Sequence, residues 1–140
     1  MKKIALVYYS QTGNTEAMAD AIADALNGKA DVSVVAPENF NADELASYDA
    51  VAFGCPAMGQ EVLEEDVFDP MFTALEGSLS GKKIALFGSY GWGDGEWMRN
   101  WEDRAKADGA VLVAEPVICQ EAPDDATKAD LAALAEALLA

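Results

Sequence analysis

The feature that most constrains this chain is a repeated alternation of two hydrophobic patterns. Short apolar runs at residues 4–9, 32–36, 50–53, 83–87 and 111–119 are separated by longer stretches with helical spacing. The runs are rich in branched and aromatic residues and apolar at successive positions, as strands covered on both faces must be. The fifth contains Pro116, which predicts a bend or an edge position. From Thr15 onward, Ala17, Met18, Ala21, Ile22, Ala25 and Leu26 form an apolar helical stripe that Asn27-Gly28 stops. Residues 43–47 predict a short helix, 67–75 another with Pro70 in its first turn, and 97–108 a fourth ending at Gly109. A last helix follows Pro123, with Asp124 and Asp125 near its N-terminus and Leu131, Leu134 and Leu138 on one face. Five such alternations predict an α/β chain, a three-layer α/β/α doubly wound parallel sheet. With no linker, repeat or low-complexity tract, residues 1–140 read as a single domain.

Charge and composition narrow the function. Acidic residues outnumber basic ones 25 to 9, for a formal charge of −16. Such a field repels nucleic acid and anionic membranes and favours partners with a basic face. The absence of histidine removes the commonest metal ligand and the usual general base near neutral pH. Cys55 and Cys119 lie far apart with no CxxC spacing, which leaves a structural disulfide open and reads first as buried thiols in a cytosolic protein. Residues 11–16 break the first apolar run too early for an export signal, and no run is long enough to span a bilayer. A cytoplasmic location is expected.

In a doubly wound sheet, ligands bind beyond the carboxyl ends of the strands, where three loops of this chain converge. The first, Ser10-Gln11-Thr12-Gly13-Asn14-Thr15, enters a helix N-terminus, where free N–H groups favour an anion. Its hydroxyls and amide add donors, so it reads as either a phosphate cradle or an ordinary capped turn. A Walker-type loop is excluded, because the G-x-x-x-x-G-K-[ST] pattern and its lysine are missing. The third loop, residues 88–95, sets Tyr90 and Trp92 among four glycines, a composition suited to stacking on a planar ligand. The middle loop offers Met58, able to lie on an aromatic face, and Gly59, able to take a positive-φ turn. Its acidic run, Glu61, Glu64, Glu65, Asp66 and Asp69, reads as a solvated face. Phosphate at one loop and ring contacts at two others describe a nucleotide-like ligand.

The segments SQTGNTEAMA, GCPAMGQEVLEE and GKKIALFGSYGWGDGEWM, in this order and spacing, resemble the flavodoxin family in its short-chain form. The resemblance spans essentially the whole chain. It implies a flavodoxin-like five-stranded sheet in the order 2-1-3-4-5 carrying one non-covalent FMN. It further implies that Ser10, Gln11, Thr12, Gly13, Asn14 and Thr15 bind the FMN phosphate. Met58 would cover one face of the isoalloxazine and Trp92 the other. Pro56, Ala57, Gly59, Gln60, Glu61, Ser89, Tyr90 and Gly91 would line the ring edge, mainly through backbone groups, with Glu61 facing N3–H. The Gly59 carbonyl is expected to swing toward N5 once N5 gains a proton. Some relatives carry an acidic or smaller residue where this chain has Gln60, a difference that bears on the energy of that swing.

The function so implied is a low-potential one-electron carrier rather than an enzyme, cycling FMN between semiquinone and hydroquinone to shuttle electrons between redox enzymes. Surrounding carboxylates lower the potential, each costing an anionic ring about 0.4 kcal/mol at ~10 Å in water. The expected partners are basic-faced reductases and low-potential oxidoreductases, docking transiently on a monomer at the flavin edge. Three other readings of this topology are weaker. An NAD(P)H-dependent flavin or quinone reductase needs an open ring face and a nicotinamide site. A phospho-acceptor receiver needs acids after strands one and three, where Tyr9-Ser10 and Gly54-Cys55 stand. A phosphatase using Cys55 needs an arginine behind it, and residues 56–62 contain none.

Overall fold

The computed structural model describes residues 1–140. Its strands are β1 (Lys3–Tyr8), β2 (Asp31–Val35), β3 (Ala50–Gly54), β4 (Lys83–Tyr90), β5 (Val111–Leu112) and β6 (Val117–Gln120). The helices are α1 (Asn14–Leu26), α2 (Ala42–Ala46), α3 (Phe68–Leu75), α4 (Glu96–Ala107) and α5 (Asp125–Leu138). All pairings are parallel, in the order β2-β1-β3-β4-β5, with β6 also on β4. That is the flavodoxin-like order, itself a standard illustration of the switch-point rule, with the winding reversing between β1 and β3.

The fifth strand differs from one continuous run over 111–119. Val111 and Leu112 pair with Lys83 and Ile84, and the chain then leaves the ladder until Val117 pairs with Phe87. Pro116 has no N–H to give a ladder, so the break falls on the outermost position, where few bonds are lost. β5 and β6 are two halves of one strand position.

Period-two alternation divides the apolar strands between two layers. Ala5, Val7, Val51, Phe53, Ile84 and Leu86 face α3 and α4, where Phe68, Phe72, Trp97 and Trp101 fill the core. Ile4, Leu6, Ala50, Ala52, Ala85 and Phe87 face α1 and α5. The Trp101 ring is met edge-on by Phe68 at 5.4 Å and Phe72 at 5.7 Å, the favoured geometry for aromatic pairs. α2 is capped by Asn41 Oδ1, which accepts from Glu44 N at 3.0 Å. α5 starts the same way: Asp124 Oδ1 accepts from Thr127 N at 2.8 Å.

Charge is distributed unevenly along the strand axis. Lys3 opens β1 and Lys83 opens β4, with Lys2 and Lys82 just before them and Lys29 just before β2. Lys2 and Lys83 Nζ both donate to Ala140 O, at 2.6 and 3.0 Å, and Lys29 pairs with Glu136 at 2.6 Å. These lysines secure the C-terminal end of α5, whose last turn has no basic residue of its own. The opposite end of the sheet carries the loops.

Candidate functional site

β1 ends where Tyr9 N donates to Gly54 O at 3.0 Å, and the chain then turns toward α1. Gly13 takes the N-cap position with φ 92, a left-handed backbone that glycine reaches without strain. The hydroxyl of Ser10 accepts from Glu16 N at 3.2 Å. The N–H groups of residues 11–15 have no acceptor within the chain. Beside them Thr15 is 1 % exposed, and its hydroxyl oxygen also lacks a partner. A buried hydroxyl left unpaired costs free energy unless a ligand engages it. The loop therefore concentrates uncommitted neutral donors at the positive end of a helix, which suits a phosphate dianion.

The middle loop extends the β3–β4 pairing outward. Cys55 N donates to Phe87 O at 3.1 Å and Ala57 N to Ser89 O at 3.0 Å. Met58 and Val62 then exchange both backbone hydrogen bonds, at 2.9 and 3.1 Å, and close a small hairpin. At its tip Gly59 has φ 49 and Glu61 φ 55, both left-handed, and Gln60 is exposed. Burial pushes the Cys55 thiol up to about 12, which removes it as a nucleophile near neutral pH.

The acidic run after the hairpin is not the solvated face that the sequence suggested. Glu64 is 5 % exposed and caps α3, its oxygens accepting from Asp66, Val67 and Phe68 N at 2.7–2.8 Å. Asp69 pairs with Arg104 at 2.9 Å. The Glu61 carboxylate accepts from Gly95 and Glu96 N at the start of α4. Only Glu65 and Asp66 are left exposed with no ion pair. Helix N-termini and an arginine consume the other charges.

The third loop follows β4. Tyr90 is half-buried and tilted against Trp97, with ring centroids 5.6 Å apart, so it belongs partly to the core. Trp92 is 62 % exposed and free to cover a ligand. A fourth segment, absent from the three-loop reading, completes the wall. Glu121, in the left-handed region at φ 60, follows β6, donates from N to Tyr90 O at 2.9 Å and accepts from Ser89 Oγ at 2.6 Å. The signal for it was positional: β6 also ends on this side of the sheet.

One cleft gathers Gln11, Thr12 and Asn14 from the first loop, Pro56, Ala57 and Met58 from the second, Ser89, Tyr90 and Gly91 from the third, and Glu121. Gly59, Gln60, Glu61 and Trp92 stand outside the lining. Ser10, Gly13 and Thr15 also stand outside the lining: Ser10 holds the start of α1, Gly13 is its exposed N-cap, and Thr15 lies buried in its first turn. Loose donors at one end and flat, largely uncharged walls at the other fit a planar ring with a phosphate tail.

Comparison with known proteins gives the same picture. The family model described as Flavodoxin matches residues 6–133. A flavodoxin of Clostridium beijerinckii is 50 % identical over 123 residues, covering 86 % of this chain and 88 % of that protein. One of Megasphaera elsdenii is 49 % identical over 124 residues, covering 88 % and 90 %. The solution structure of the two-electron-reduced Megasphaera elsdenii protein superposes with a TM-score of 0.89 at 47 % identity, covering 97 % of this chain and 98 % of that one.

Proposed function

The chain belongs to the flavodoxin family, low-potential electron carriers that bind FMN, and we propose that the strand-end cleft is where it holds that cofactor. It is an electron-transfer protein, not an enzyme, and carries electrons between redox proteins. When bound, FMN supplies the one-electron redox chemistry. The chain's own residues bind, orient and shield it. In this reading Ser10, Gln11, Thr12, Gly13, Asn14 and Thr15 hold the phosphate with neutral donors, adding no positive charge near the ring. Met58 and Trp92 cover the ring faces. Pro56, Ala57, Gly59, Gln60, Glu61, Ser89, Tyr90 and Gly91 edge the ring, and Glu121 joins them.

Docking follows from charge. Glu61, Glu65, Asp66, Asp94, Glu96 and Glu121 lie at the cleft end, whereas the lysines that open β1 and β4 lie at the other. A basic-faced reductase or low-potential oxidoreductase therefore meets the cleft end first, in a weak and fast encounter with a monomer. Residues 1–140 act as one folding unit, since both core layers share the one sheet. No helix is long and apolar enough to cross a membrane, and both cysteines are free and buried, consistent with work in the reducing cytoplasm.

The observation that carries the site is the unpaired Thr15 hydroxyl beneath uncommitted amides. Thr15→Val removes the hydroxyl at constant shape. Losing one charge-assisted hydrogen bond should weaken FMN binding about tenfold or more. Riboflavin, which lacks the phosphate, should bind both forms equally, and the cofactor-free chain should be no less stable. Equal FMN affinities in a fluorescence titration would remove Thr15 from the cradle.

A further inference from the structure

Trp92 sits on a loop that little of its own backbone holds together. The N–H and C=O groups of Trp92 and Gly93 have no partner in the chain, and Trp92 is 62 % exposed. Glycines at 91, 93 and 95 leave this stretch with more backbone freedom to lose than other residues would. Two long side chains from outside the loop hold it on either side of the unpaired residues. Gln120, the last residue of β6, donates from Nε2 to Gly91 O at 3.2 Å. Arg99, in the first turn of α4, reaches back as a fork. Its Nη1 donates to Asp94 O and its Nη2 to Asp94 Oδ1, each at 3.0 Å. Beyond Asp94, Gly95 is the N-cap of α4, and a Cβ built there would stand 3.0 Å from Ile118 Cδ1 on β6. The free span is therefore two residues long, with a side chain bonded to the carbonyl at each end of it.

We propose that Arg99 and Gln120 are positioning residues that clamp this loop, confining Trp92 to a narrow range of orientations before the cofactor arrives. Ordering a glycine-rich loop on binding costs affinity, and a loop already confined costs less. Neither residue lines the cleft, so each acts through the backbone that carries Trp92. The Arg99 and Asp94 side chains are 59 % and 77 % exposed, and an ion pair so open to water adds little to the stability of the fold. Its effect falls on the loop. This proposal rests on the FMN reading of the cleft.

The test uses the full chain, with and without FMN. In the cofactor-free chain, Arg99→Ala combined with Gln120→Met should drop the backbone order parameters of Trp92 and Gly93 from above about 0.6 to below it. Those of Ser89 in β4 and Met98 in α4 should stay at about 0.85. Gln120→Met keeps length and charge and removes only the donor. Each substitution alone should weaken FMN binding about threefold, and the two together about tenfold. In a Trp92→Ala chain the clamps present nothing, so both substitutions should leave the affinity unchanged. Unchanged order parameters overturn the clamp. So does an affinity that neither substitution moves, or a loss that persists without Trp92, which would make Arg99 a charge acting on the cofactor. Failure of the FMN reading shows separately, as no FMN uptake by the unsubstituted chain, and the order parameters then decide alone.

Discussion

Replacing Glu64 with alanine tests how the wall of the cleft is anchored. The residue is 5 % exposed, and its carboxylate takes three backbone donors. Charge-assisted bonds contribute about 1.5 kcal/mol each, and desolvating the carboxylate offsets about 1 to 2 of that total. The net loss on truncation is therefore about 3 kcal/mol, which at an m-value of about 2 kcal/mol/M lowers the urea midpoint by about 1.5 M. Glu64→Gln keeps the two Oε1 contacts and should lose about half as much. The pH dependence follows from the same contacts. Burial pushes the Glu64 pKa up, but the N–H groups of Phe68, Asp66 and Val67 outweigh it and hold the carboxyl below its ordinary value of 4.5. A folded pKa below the unfolded one means a contribution complete above about 4.5 and lost as pH falls through the folded value. Urea unfolding followed by far-UV circular dichroism at about pH 7 and about pH 3 measures both effects. A loss under about 1 kcal/mol at neutral pH, or a gap that persists unchanged in acid, refutes the capping account.

The other expectations address the site and the charge pattern. Trp92→Ala should weaken oxidised FMN binding about tenfold by loss of a stacked ring, while the cofactor-free chain, which exposes Trp92, keeps its urea midpoint; a stability loss with unchanged affinity would make Trp92 structural. Burial, then the neighbouring Glu76 carboxyl, pushes Asp108 up to about 6 against the pull of Arg104. A raised carboxyl pKa penalises the fold above about 6 and not below the ordinary 3.8, so Asp108→Asn should raise the melting temperature at about pH 7.5 and leave it unchanged at about pH 3. Equal shifts at both would exclude a titration effect. Raising salt from about 0.05 to about 0.5 M should slow electron transfer to a basic-faced reductase about tenfold at limiting protein concentration. A rate indifferent to salt removes the steering role of the acidic end.

The layers were legible because strands buried on both faces are written as continuous apolar runs, and helices on such a sheet as apolar stripes. Residues 4–9 and the Met18–Ile22 stripe encode their partners in their own spacing. The first loop was legible for a related reason: its function rests on backbone N–H groups and a glycine adjacent in sequence. Glu64 was not, because a carboxylate becomes a cap only when the chain folds back over a helix start four residues on. Pro70 in the first turn of α3 was the available clue. Glu121 escaped because it reaches the cleft from a strand that Pro116 had marked as irregular. The partial burial of Tyr90 depends on Trp97, whose ring the sequence places in a neighbouring helix without saying which way it leans.

The lysines gathered where the strands begin give the molecule a preferred way up. Adsorbed on a cationic electrode it would land cleft-down, with the redox end against the conductor. On an anionic electrode it would land inverted, with the length of the strands between ring and metal. Direct voltammetry on surfaces of opposite sign thus turns an uneven distribution of side chains into a difference in current.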